Sequence, residues 1–96
     1  MRNIAIVLNS GNPNQRNEIT KFLVAMGWAY WHWIDDFWIV QVPYSYTARS
    51  LHEEIEKIPG IGEPTMLVFE FEGNISFWGR NEMDAWDWLN HIGNPS

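Results

Sequence analysis

The chain contains no cysteine, which excludes disulfide staples and thiol chemistry. It is also short of positive charge: six basic residues stand against twelve acidic ones, a formal net charge of -6. A protein that neutralises phosphates needs a surplus of Lys and Arg on some face, so nucleic acid is disfavoured as a direct partner. No apolar run approaches the roughly 18 residues of a membrane span. The apolar part of "MRNIAIVLNS" is too short for the hydrophobic region of a signal peptide followed by a cleavage site. These absences lead to the expectation of a cytoplasmic protein with no membrane partner. Internal repeats, low-complexity tracts and linkers are missing too, so the expected organisation is a single domain over residues 1–96.

What the chain does have is aromatic surface: seven Trp, five Phe and three Tyr, within 46% hydrophobic and 19% charged residues overall. Disordered segments are poor in such side chains, which points to a folded protein. At this length roughly 60–65% of the unfolded surface is buried on folding, enough for one modest core.

The hydrophobic pattern divides the chain into short elements. Ile4 to Leu8, continuously apolar, reads as a strand buried on both faces. "SGNPNQ" then announces a helix from Pro13 to about Met26, with Asn12 as cap, Pro13 at the first helical position and Gln15 completing a capping box. Ile19, Phe22, Leu23 and Met26 form its apolar stripe, and Gly27 ends it.

Next comes the densest stretch, "YWHWIDDFWIVQV" at residues 30–42. With Asp35-Asp36 as a two-residue loop, Ile34 faces Phe37, Trp33 faces Trp38 and Trp31 faces Val40. Strand parity then sorts Ala29, Trp31, Trp33, Trp38, Val40 and Val42 onto a pure core face. Trp28, Tyr30, His32, Ile34, Phe37, Ile39 and Gln41 fall on a mixed one.

Pro43 stops this hairpin, and Thr47 or Ser45 caps a second helix with the stripe Ala48, Leu51, Ile55 and Ile58. Thr65 to Phe71 alternates Leu67, Phe69 and Phe71 against Met66, Val68 and Glu70. Gly73-Asn74 is a turn signal into a short arm, Ile75 to Trp78, and Asn81 caps a last helix carrying Ala85, Trp88, Leu89 and Ile92 on one side. The expected fold is therefore α+β: a ferredoxin-like β-α-β-β-α-β sandwich with a short fifth strand and a C-terminal helix. Both main helices of such a fold lie on one face of the sheet. The other face needs a cover, from the C-terminal helix or a second subunit, because a large exposed apolar patch is rare on a monomer.

Chemistry-bearing groups are sparse. His32, Asp35 and Asp36, with Glu70 or Glu72 from a neighbouring edge, have the donor types of a divalent transition-metal site, but their spacing matches no established ligand motif. The simpler reading makes Asp35-Asp36 a solvated turn and His32 a polar member of the mixed face, with His52 and His91 as surface residues. "NSGNPNQ" lacks the Lys of a phosphate-binding loop and the glycine spacing of a dinucleotide fingerprint, so capping explains it. No serine sits in a nucleophile motif. Trp86 and Trp88 are separated by roughly 200° around a helix, so one of them, Trp86, turns outward or into a partner. With Trp28, Tyr30, His32, Phe37 and Trp78 it makes up a candidate interface set, since Trp and Tyr are favoured in contacts between proteins.

"WHWIDDFWIV" in a hairpin, the strand "MLVFEFEG" ending in a turn, and "AWDWLN" near the C-terminus together resemble a family of small bacterial and phage proteins often labelled SinR-like. That family is similar in turn to the smaller subunit of the CRISPR adaptation complex. The likeness spans most of the chain and rests on aromatic, structural motifs. It implies a ferredoxin-like homodimer that pairs through its sheets, and for some such proteins a metal-dependent nuclease activity resting on an aspartate at the end of the first strand. Counting back from Pro13, that position holds Asn9. An amide brings no charge to offset the dehydration of Mg²⁺, which weighs against nuclease activity and leaves fold and dimerisation intact.

The leading expectation is a non-catalytic homodimer, without cofactor, that acts by binding an unidentified protein partner. One alternative is a nuclease using Mg²⁺ or Mn²⁺ with Asn9, His32, Asp35 and Asp36. Another is an inhibitor whose carboxylates at Glu53, Glu54, Glu56, Glu63, Glu70 and Glu72 imitate phosphates; an ordinary solvated acidic face is the simpler account of those six.

Overall fold

The computed structural model describes residues 1–72. The elements expected over Ile75–Trp78 and beyond Asn81, with Trp78, Trp86 and His91, lie outside the described residues. Within them the order is β1 (Arg2–Leu8), α1 (Pro13–Met26), β2 (Tyr30–Ile34), β3 (Phe37–Val42), α2 (Ala48–Glu56) and β4 (Met66–Phe71). The four strands form one antiparallel sheet in the order β2-β3-β1-β4, an α+β architecture.

Local signals account for the element ends. Asn12 caps α1 by accepting from the Gln15 backbone N–H at 2.8 Å, and the Gln15 side chain accepts from the Asn12 N–H at 3.1 Å, a closed capping box. Gly27 takes φ 74°, left-handed, and its N–H reaches the Val24 carbonyl, so the helix stops where a residue without Cβ permits it. Thr47 caps α2 through the Ser50 N–H.

Parity along β1 then builds the core. Ile4, Ile6 and Leu8 point to the side that carries both helices and pack with Trp38, Val40 and Val42 of β3, Ile19 and Leu23 of α1, and Leu51 and Ile55 of α2. Phe22 and Ile58 join this layer half-buried, while Met26, expected in the α1 stripe, is exposed at the last turn. At the centre Trp38 is fully buried, and its indole N–H donates to Thr20 Oγ1 at 3.2 Å, which satisfies the one polar atom that its burial would strand.

The hairpin departs from strict alternation. Ile34 faces Phe37 across the Asp35-Asp36 turn as expected, but Trp31 faces Ile39 and Tyr30 faces Val40. A β-bulge lies between Trp31 and Ile34, so that His32 and Trp33 together stand against Trp38. One extra residue reverses parity for everything before it. The face assignment is therefore corrected: Tyr30, with Trp28 just ahead of β2, packs against the helix-side core, and Trp31 shares the opposite face with Ile39 and Phe37. Trp33, expected in the core, is 40% exposed.

Candidate functional site

The C-terminal end of β1 brings together most of the residues that carry metal-binding donors. Leu8 N–H donates to the Asp36 carbonyl at 2.8 Å, and Asn9 N–H to the Thr65 carbonyl at 2.9 Å, so the hairpin turn and the entry to β4 both meet there. Ser10 turns the chain with φ 57°, unusual for a residue with a side chain. Gly11 follows in tight quarters: a Cβ would lie 2.6 Å from Asp36 Oδ1 and 2.6 Å from Leu8 Cδ1. Arg16 Nε donates to the same Asp36 oxygen at 3.0 Å, and its Nη2 donates to the Gly11 carbonyl at 2.7 Å. Asp36 thus fastens the β2–β3 turn to the first turns of α1.

This geometry decides how the donors are used. The Asp36 carboxylate is held by a guanidinium, Asn9 offers an uncharged amide, and Asp35 is exposed in the turn. His32 lies elsewhere: its ring stacks on Trp38 at 4.3 Å and 5°, and its Nδ1–H donates to the Phe37 carbonyl at 3.0 Å. Among the described residues no three His, Asp or Glu side chains form a group able to hold a metal ion. With Asp36 Oδ1 held by Arg16, Asn9 uncharged and His32 stacked on Trp38, these residues do not converge as a set of hard oxygen ligands of the kind that Mg²⁺ or Mn²⁺ takes.

The acidic residues are equally committed. Glu53 accepts from Arg49 Nε at 3.0 Å, Glu56 pairs with His52 at 2.9 Å, and Glu54 accepts the Tyr46 hydroxyl at 3.3 Å. Partial desolvation, then the Glu54 charge, holds the Tyr46 phenol above its ordinary 10.0. Glu70 accepts from the Ala48 N–H at the start of α2 at 3.1 Å and pairs with Arg2, which also donates to the Tyr44 carbonyl. The Ala48 N–H first, and then Arg2, hold the Glu70 carboxyl below its ordinary 4.5. Of the six carboxylates considered as phosphate mimics, Glu63 and Glu72 are the two without such a partner among the described residues.

The remaining feature is the second face of the sheet, opposite the helices. Register places on it Asn3, Ala5 and Val7 of β1, Phe37, Ile39 and Gln41 of β3, Trp31 of β2, and Leu67, Phe69 and Phe71 of β4. Ala5, Ile39 and Trp31 are buried, and Trp31 meets Phe37 edge to face at 5.9 Å. Along β4 the same face is open: Leu67 is 61% and Phe69 41% exposed. Val7 and Leu67 also border an open pocket of about 320 Å³ that reaches Asn9 and Thr65.

The expected interface residues are split by this arrangement. Phe37 lies half-buried on the second face. His32 lies over Trp38, while Trp28 packs edge to face against Tyr46 at 4.8 Å and Phe22 at 6.0 Å under the helices, with Tyr30 beside it in the same layer. Sequence reasoning passed over Leu67 and Phe69. Their signal was present in the alternation of "MLVFEF"; the opposite parity carries Glu70, whose carboxylate reaches the N–H at the start of α2.

Fold and surface together define an α+β domain with a helix layer on one side of an antiparallel sheet and an apolar strip on the other. No protein-family model matches the chain, and no curated protein or solved structure is significantly similar to it.

Proposed function

We propose that the chain is a non-catalytic, ferredoxin-like protein that acts through protein–protein contacts and self-associates as a homodimer through the second face of its sheet. The strand order β2-β3-β1-β4, with both helices packed on one side, supports the ferredoxin-like arrangement. The observation that carries the functional part is the exposure of Leu67 and Phe69 on a face whose other β-strand residues are largely apolar. Water pays for contact with each such side chain, at roughly 25 cal/mol per Å² of apolar surface, and a partner that covers them recovers that free energy. The resemblance to SinR-like proteins and to the adaptation-complex subunit is, on this reading, one of fold and assembly without nuclease chemistry.

Sedimentation velocity at tens of micromolar tests the proposal. The expected result is a dimer for the unmodified chain and a monomer for Phe69→Asp, with unchanged far-UV circular dichroism. A monomeric unmodified chain would overturn the homodimer.

A further inference from the structure

We draw no further inference here: the strongest candidate, the apolar strip of Leu67 and Phe69 along β4, belongs to the surface already taken up in the proposed function, and nothing among the described residues shows what covers it.

Discussion

The two faces of the sheet are built from nearly the same kinds of side chain, yet they end differently. On the helix side Ile4, Ile6, Trp38, Val40 and Val42 are each fully buried beneath α1 and α2. On the other side Ala5 and Ile39 are buried near the middle of the sheet, while Leu67 and Phe69 on edge strand β4 stand open. Composition therefore does not distinguish the face that the helices cover from the face that they leave open. What separates them is the cover: two capped helices of suitable length can pack on one side, and their connections to the strands keep them there. Polar groups reinforce the asymmetry. The ties of Glu70 to Ala48 and Arg2 lie on the helix side and draw β4 toward α2, which leaves the opposite parity of β4 outward.

The largest effect that would sharpen this contrast is truncation at the centre of the helix-side core. Trp38→Ala is expected to cost about 3–5 kcal/mol in urea unfolding, whereas Phe69→Ala should cost no more than about 1 kcal/mol. Equal losses would mean that the second face is as tightly packed as the first. Next comes Gly11→Ala. Its new methyl meets Asp36 and Leu8, and the expected destabilisation is about 1–3 kcal/mol, read from the same unfolding curves. Asp36→Asn, which removes one charge from the pair with Arg16, should cost only about 0.5–1 kcal/mol because both side chains remain partly solvated.

The smallest effect concerns pH. A carboxyl held below its ordinary value when folded adds stability above about pH 4.5, and that contribution fades as pH falls through the lower folded value. Glu70→Gln should therefore flatten the acid limb of a stability profile below pH 4.5 and leave the alkaline limb alone. An unchanged acid limb would separate Glu70 from the link between β4 and α2.

Much of the fold was legible in advance because its signals are local. Asn12, Pro13, Gln15 and Gly27 mark the ends of α1 through hydrogen bonds and a left-handed turn that involve only neighbours in sequence. Asp35-Asp36 was likewise legible as the turn of the hairpin, with Ile34 opposite Phe37. The face assignment of the hairpin was less legible. Assigning Trp28 and Tyr30 to the second face assumed unbroken alternation from the turn back to residue 28, and the bulge at His32 and Trp33 breaks it. The bulge accompanies a stack of His32 on Trp38 across two strands, which a period-two pattern does not encode.

The use of the candidate metal donors was illegible for a similar reason: His32, Asp35 and Asp36 are close in sequence, but Asp36 is claimed by Arg16, twenty positions earlier, and the His32 ring is stacked on Trp38 of the neighbouring strand. By itself, then, the sequence determined the helix ends, the strand-forming runs, the hairpin turn and the alternation that gives the sheet two apolar faces, since each depends on backbone preferences and side-chain spacing over a few residues. Tertiary structure alone decided which parity of each strand meets the helices and which carboxylates are neutralised. It also decided that Leu67 and Phe69 are left facing outward, because those outcomes depend on contacts between segments that only folding brings together.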